Sequence, residues 1–412
     1  MGVGAAGFRC RACGGTGLVP VLSLGSTPLA NALLSEAQLS IAEPTFPLDV
    51  VFCEGCSLVQ LTETVAPGVL FSEYVYFSSF SDAAVEHARV TAERVALERG
   101  LGASSLVIEV ASNDGYLLQH YARGGVPVLG IEPARNIAAA ATARGIRTLN
   151  AFFTEELGRE LAAEGRRADV LHANNVLAHV PDLSGFVAGM RHVLQPHGVA
   201  VIEVPWVREL VRHLEFDTIY HEHLSYFSLT ALDALFERHG LTIGDVEEVA
   251  IHGGSLRLWV GHGGTVVRGE RVRRLLDRER DEGLAGRSYY AGFADRVQAL
   301  SRDLGALLRG LKSEGHSIAA YGASAKGSTL LNYLGIGRET LDFIVDRSTV
   351  KQGRYAPGTR LPIRAPEALL AEMPAYVLLL TWNFADEILR QQAEYRHRGG
   401  RFIIPLPSPT VI

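Results

Sequence analysis

From residue 106 onward, short apolar runs alternate with stretches whose apolar residues recur every three or four positions. The runs are Leu106–Val110, Val126–Ile131, Ile146–Leu149, Val170–Ala173 and Val199–Val204. They are short, rich in β-branched residues and bounded by turn formers, so they predict five strands. Strands alternating with helices predict a parallel sheet. After Leu241 the rhythm changes. Leu241–Ala250 and Ser255–Val260 flank His252-Gly-Gly254, which predicts an antiparallel pair closing that sheet. A second alternation, at Ile318–Tyr321, Phe343–Asp346, Tyr376–Thr381 and Phe402–Pro405, predicts a smaller open α/β sheet. Between the two, residues 270–315 are charged and helix-periodic. Asp82–Arg99 predicts a helix stopped by Gly100. The polar and aromatic stretch Phe71–Phe80 reads as a loop.

Length agrees with this division. A chain of 412 residues exceeds one ordinary core. The expected units are a lobe at 1–70, a central domain at 71–265, a helical connector at 266–315 and a C-terminal α/β domain at 316–412. Hydrophobic residues make up 47% and charged residues 20%, which excludes a disordered chain. No apolar run approaches the ~18 residues of a membrane span. The N-terminus MGVGAAGFRC lacks the charged and apolar regions of a secretory signal, so a cytoplasmic location is expected. The net charge of −6 argues against a zinc-ribbon protein that grips nucleic acid. Only three of the 39 basic residues are lysine: Lys312, Lys326 and Lys351.

The four cysteines form two pairs, Cys10-Arg-Ala-Cys13 and Cys53-Glu-Gly-Cys56. Each pair lets two thiolates reach one tetrahedral ion from a tight turn, which suits structural zinc. Two redox pairs are the alternative. Four protein ligands leave no position for water, so such a metal staples a lobe rather than doing chemistry. Residues Gly25–Leu34 join the two halves.

Ligands of open α/β sheets bind beyond the carboxyl ends of the strands. Here those ends hold Glu109-Val-Ala111-Ser-Asn113-Asp-Gly115-Tyr116, then Glu132, then Asn174-Asn175 with His179. Glu132 lies some 20 residues beyond the first turn, where an acid accepts the hydroxyls of a ribose. That suits S-adenosylmethionine or NAD. The first turn lacks GxGxxG, which weighs against a dinucleotide-dependent oxidoreductase. The densest constellation is Asp217-Thr-Ile-Tyr220-His221-Glu222-His223-Leu-Ser-Tyr226-Phe227. It is not a metalloprotease helix, because residues two apart do not share a helix face. On an extended segment His221 and His223 would share one side, with Tyr220 and Glu222 on the other. Histidine is a natural base and tyrosine a natural oxyanion donor. In the C-terminal domain, Tyr321-Gly-Ala-Ser324-Ala-Lys326-Gly runs from a strand into a helix. Its Lys-Gly order is not that of a Walker loop, yet a small-residue turn feeding a helix receives anions. Asp346 ends the next strand, and Lys351 and Trp382-Asn383 lie in nearby loops.

Five parallel strands followed by a hairpin is the order of a class I methyltransferase sheet. The blocks CxxC…CxxC, EVASNDGYLL, GIEPARNIA, NNVLAHVPD, YHEHLSYFS and YGASAKGSTLLN occur in this order over essentially the whole chain. Together they resemble the TDP-deoxysugar C-methyltransferases of antibiotic sugar biosynthesis. The resemblance implies a zinc lobe, an S-adenosylmethionine-binding domain and a C-terminal domain that helps hold a nucleotide sugar. It implies methylation of the carbon beside the ketone of a TDP-4-keto-6-deoxysugar, C3 or C5. It implies His223 as the base, with Tyr220, Glu222, His179 and Tyr74 in the active-site wall. Glu109, Ala111, Asn113, Gly115, Tyr116, Glu132, Asn174 and Asn175 are the expected cofactor residues. Tyr76, His221, Ser324, Lys326, Asp346 and Lys351 are the expected substrate residues. The family leans towards a monomer.

Overall fold

The computed structural model describes residues 8–72, 76–251 and 253–412. The N-terminal lobe holds β1 (Leu18–Pro28), β2 (Thr45–Cys53) and β3 (Val59–Leu61), paired antiparallel. Long strands thus fill what the sequence showed only as the gap between cysteine pairs. A short helix, α1 (Pro67–Phe71), leads into the stretch expected as a loop, and a 3-10 turn at Ser78–Phe80 ends it. Helix α2 (Asp82–Arg99) starts on Ser81, whose hydroxyl accepts the Ala84 N–H, and ends on left-handed Gly100.

The central alternation runs β4 (Val107–Val110), α3 (Leu118–Arg123), β5 (Val128–Ile131), α4 (Arg135–Ala143), β6 (Thr148–Leu149), α5 (Glu155–Ala163), β7 (Ala168–Asn174), α6 (Leu183–Val193) and β8 (Leu194–Pro205). Then come α7 (Val207–Arg212), β9 (Ser225–Tyr226), α8 (Leu229–Arg238), β10 (Leu241–Val249) and β11 (Ser255–His262). The seven-stranded sheet has the order β10-β11-β8-β7-β4-β5-β6, in which β11 alone runs antiparallel to the other six strands. Strand order reverses at β4, which opens a crevice beyond the ends of β4 and β7. Helices α5 and α6 cover one face in close contact. A Cβ on Gly158 would lie 2.4 Å from the Gly189 carbonyl oxygen.

The connector is α9 (Glu270–Glu282), α10 (Arg287–Tyr290) and α11 (Phe293–Ser313). The C-terminal domain holds β12 (Ile318–Tyr321), α12 (Ala325–Leu334), β13 (Ile344–Val345), β14 (Ile363–Arg364), α13 (Ala368–Glu372), β15 (Tyr376–Leu379), α14 (Ala385–Gln391), α15 (Ala393–His397), β16 (Arg401–Ile404) and β17 (Thr410–Val411). Its sheet order is β14-β13-β12-β15-β16-β17, parallel except for β17. Among the described residues, no helix is long and apolar enough to cross a membrane.

The units are not independent. Strand β9 pairs with β3, so the central chain supplies the fourth strand of the N-terminal sheet. One apolar core runs through Leu48 and Phe52 of the lobe, Tyr226, Phe293 and Leu304 of the connector, and Leu331 of α12. The connector is also fastened by a buried carboxylate. Trp206 Nε1 and the Leu229 N–H donate to Glu279 Oε1, both at 2.7 Å. The Thr230 N–H and hydroxyl donate to Oε2 at 2.8 and 2.7 Å. Glu279 of α9 thereby caps α8 from outside that helix. Replacing Glu279 by Ala leaves four donors without an acceptor and is expected to cost about 3 kcal/mol. A lower urea midpoint at unchanged slope is the measurement that checks this.

Candidate active site

The zinc lobe and the catalytic segment are built against each other. The four cysteine sulfurs lie within 4.8 Å of one another, with Cys10 and Cys56 at 3.4 Å and Cys13 and Cys53 at 3.6 Å. Four thiolates about 2.3 Å from one ion stand roughly 3.8 Å apart, so the residues fit zinc. Buried Gln60 donates to Cys10 Sγ at 3.2 Å and accepts the Arg11 N–H at 3.0 Å. Gln60 is in β3, and its partner in β9 is Ser225. The lobe therefore carries the strand that anchors the turn at Tyr220–His223.

That turn is not extended. The His223 N–H donates to the Tyr220 carbonyl at 2.8 Å, so residues three apart meet, not residues two apart. Tyr220 and His223 share one side, with the hydroxyl 2.8 Å from Nε2. His223 Nδ1 lies 2.8 Å from the Thr218 carbonyl oxygen. A carbonyl only accepts, so Nδ1 carries the hydrogen. In the neutral ring Nε2 then keeps its lone pair, towards which the Tyr220 hydroxyl donates. Burial raises the Tyr220 hydroxyl well above the ordinary tyrosine range, helped by nearby Glu222, so it remains a donor. His179 packs edge-on to His223 at 4.8 Å between ring centres. Burial pushes His179 down to about 4, against the contact with the Glu222 backbone.

His221 turns away, contrary to the extended reading. Its Nε2 meets the Phe46 carbonyl of β2 at 3.0 Å, and the residue is 2% exposed. It does not line the cleft, so it is a strut between lobe and turn rather than a substrate contact. The Glu222 carboxylate accepts from Asn31 Nδ2 at 2.6 Å, one layer behind the wall that Asn31 forms. Tyr74 lies outside the described residues.

The cleft is a cavity of about 850 Å³. Ala111, Asn113, Tyr116, Glu132, Asn174 and Asn175 line one end. Ala111, Asn113 and Asn175 all adopt positive φ, near 50°, which turns the backbone towards the cleft. Glu132 accepts the Asn113 N–H at 3.0 Å and the Ala134 N–H at 2.9 Å. Its side chain is thus held where a nucleoside ribose is received. Asn174 Oδ1 and Asn175 Oδ1 in this lining are enclosed acceptors with no protein partner, whereas buried Glu109 does not line the cleft. Such a set suits the hydroxyls and the ammonium of S-adenosylmethionine. Gly115 does not line the cleft. Its φ of 80° and its contact with Ile146 make it a turn and packing residue.

The far end belongs to the C-terminal domain. The Ser324 hydroxyl caps α12 by accepting the Gly327 N–H at 3.1 Å. Lys326 Nζ is enclosed without a hydrogen-bond partner, 4.7 Å from the centre of the Trp382 ring. Burial lowers its pKa, and the carboxylates of Asp217 and Glu215 oppose that shift. Glu215 itself is pushed up to about 8, chiefly by burial. Trp382 Nε1 donates to Asp217 Oδ2 at 2.7 Å and so ties this domain to the catalytic turn. Asp346 receives the Ala323 and Ser348 N–H groups, both at 2.8 Å. Lys351 donates to the Ala323 carbonyl at 2.8 Å. Both residues knit the loop together as well as facing the cleft. Tyr76 stands at the rim, 42% exposed, its carbonyl accepting from Asn113. Sequence reasoning missed Asn31, which lay in a stretch taken for a mere joint. It also missed Glu215 and His87, isolated residues with no motif around them.

A seven-stranded sheet of this order, with a ribose-competent acid and open acceptors at its switch point, defines a class I methyltransferase. Comparison with known proteins agrees. Family models match residues 10–71 ("Putative zinc binding domain"), 85–246 ("Methyltransferase domain") and 250–407 ("C-methyltransferase C-terminal domain"). The curated protein C-methyltransferase NovU of Streptomyces niveus is 40% identical over 406 residues, spanning 98% of this chain and 96% of that one. A ubiquinone biosynthesis O-methyltransferase of Azorhizobium caulinodans is 27% identical over 97 residues, 23% of this chain and 38% of that one. A solved S-adenosylmethionine-dependent methyltransferase of Clostridium acetobutylicum aligns at 12% identity and TM-score 0.36, covering 44% of this chain and 92% of that one. The chain belongs to the C-methyltransferase family. It is an S-adenosylmethionine-dependent enzyme acting on a small molecule, with a four-cysteine zinc site.

Two outcomes follow from this geometry. Replacing Cys53 by Ser is expected to lower bound zinc and the melting temperature by several degrees, with methyl transfer falling alongside. Metal analysis with calorimetry reads this, and full activity in a zinc-free variant contradicts it. Burial holds both His172 and His179 down to about 4. An NMR titration should therefore find both rings neutral at pH 5.5, where free histidine is mostly protonated.

Proposed function

We propose that the enzyme methylates C3 of a TDP-4-keto-6-deoxysugar, beside the ketone, in the making of an antibiotic sugar. It does so as a cytoplasmic monomer, with lobe, methyltransferase domain, connector and substrate domain at 1–70, 71–265, 266–315 and 316–412. The observation that carries the reading is the Tyr220–His223 pair, a base with its lone pair directed to a hydroxyl, in a cleft shared by two α/β domains. A carbon offers no lone pair to a methyl group, so it must first lose a proton. His223 Nε2 takes that proton from the carbon next to the ketone. Its Nδ1–H leans on the Thr218 carbonyl, which steadies the imidazolium that forms. The Tyr220 hydroxyl turns its hydrogen bond from Nε2 to the enolate oxygen. Neutral His179 and the Asn31–Glu222 pair hold the wall. The bound cofactor supplies an electrophilic methyl group.

The nucleotide lies at the far end, against Ser324, Lys326, Asp346, Lys351 and Tyr76. Lys326 shares its charge with Asp217 and Glu215, so the first N–H groups of α12 carry much of the diphosphate contact. Wild-type enzyme with S-adenosylmethionine and such sugars in deuterium oxide is expected to exchange the C3 hydrogen and place the methyl there. Methylation at C5 moves the position, whereas neither exchange nor transfer across a panel of these sugars overturns the reading. His223→Asn is expected to lower kcat by about 100-fold or more, and Tyr220→Phe by about 10–100-fold. Lys326→Met should raise KM for the sugar about tenfold and leave cofactor affinity unchanged, by steady-state kinetics and calorimetry.

A further inference from the structure

One polar cluster in the cleft has no part in the chemistry above. Glu203 ends β8 beside Asn174 of β7. It is 1% exposed, and Arg257 of β11 donates to its Oε1 through Nε at 2.6 Å. His87 of α2 reaches over the same carboxylate, its Nε2 3.0 Å from Oε1 and 2.9 Å from Oε2. Burial would raise the Glu203 carboxyl, but His87 and Arg257 together bring it down to about 2. Arg257 Nη2 lies 2.9 Å from His87 Nε2 and donates to Thr91 Oγ1 at 2.7 Å. Nε2 is thus engaged by both Glu203 oxygens and by the Arg257 guanidinium. The other ring nitrogen, Nδ1, has no protein partner among the described residues. His87, Tyr116, Asn174 and Glu203 line the same end of the cavity.

We infer that His87 binds the carboxylate of the cofactor's amino-acid tail, donating from Nδ1 while Glu203 holds Nε2. The inference rests on the nucleoside lying at Glu132. From there the molecule extends across β4 towards β7, two strands or about 10 Å along the sheet. That brings the tail to Asn174 and His87. The tail is a zwitterion, and the site offers a counterpart for each charge. Asn174 Oδ1, in the cavity lining, is an enclosed acceptor for the ammonium. His87 is the donor for the carboxylate, with Glu203 on the other side of its ring. Arg257 neutralises Glu203, so the arriving carboxylate does not meet a net negative charge.

The test separates tail from nucleoside. S-adenosylhomocysteine carries the tail, whereas 5′-methylthioadenosine lacks it. His87→Gln keeps a donor for Glu203 and removes the one at the Nδ1 position, whereas His87→Asn keeps that one. By calorimetry, His87→Gln is expected to weaken S-adenosylhomocysteine about tenfold and leave 5′-methylthioadenosine unchanged, with His87→Asn retaining most of the affinity. Unchanged S-adenosylhomocysteine binding in His87→Gln, or equal losses for both ligands, overturns the inference. A readout without substitution is the ¹⁵N shift of His87 in the wild-type protein. It should change on adding S-adenosylhomocysteine but not 5′-methylthioadenosine, and equal responses to both overturn the assignment.

Discussion

The pairing of β3 with β9 is the constraint on which the active site depends. The ladder is only two residues long, yet it joins three things. The Leu61 N–H donates to the Leu224 carbonyl at 2.9 Å, one residue beyond His223. The Leu224 N–H donates to the Ala178 carbonyl at 2.6 Å, one residue before His179. Gln60, between them, contacts the cysteine cluster. A tight turn carrying a base would otherwise sample many conformations. Fastened on both sides, it holds one tautomer and one direction for the lone pair. The cysteine cluster is thereby joined through Gln60 to the strand that holds this turn.

The same logic extends to the opposite end of the turn. Asp217 precedes Thr218, whose carbonyl orients His223, and Asp217 is held by Trp382 from the C-terminal domain. Both ends of the catalytic segment are therefore fixed by domains other than its own. The continuous core through lobe, connector and α12 makes this possible. A hinge between the α/β domains would cost the turn one of its supports.

Charge is handled differently at the two ends of the cleft. At the cofactor end, buried acceptors are left open while Glu203 is paired with Arg257 and hydrogen-bonded to His87. At the end formed by the C-terminal domain, one lysine faces two buried acids, and the loop carboxylate of Asp346 is spent on backbone N–H groups. Lone charges in such surroundings are costly, so each is paired or left to meet a ligand.

Much of the chain was legible in the order of its residues. Strand and helix alternation is a local property, because burial of a parallel sheet writes continuous apolar runs between turn formers. The seven-stranded sheet, the C-terminal sheet, the helical connector and α2 with its glycine stop all follow from it. The cysteine spacing likewise declared one four-ligand site. What lay beyond reach was every relation between distant segments. Nothing around Gln60 says that it pairs beside Ser225, nor does Asn31 announce a bond to Glu222. The YHEH block displayed its chemistry but not its shape. A strand would have put His221 with His223, and the backbone turn instead put Tyr220 with His223 and sent His221 to Phe46. Side-chain direction in a short segment is set by what its backbone hydrogen-bonds to, and here those partners come from the lobe and the β7 end. Residue types thus declared a base, a donor and a cofactor acid, and only the tertiary structure decided which of them face one another.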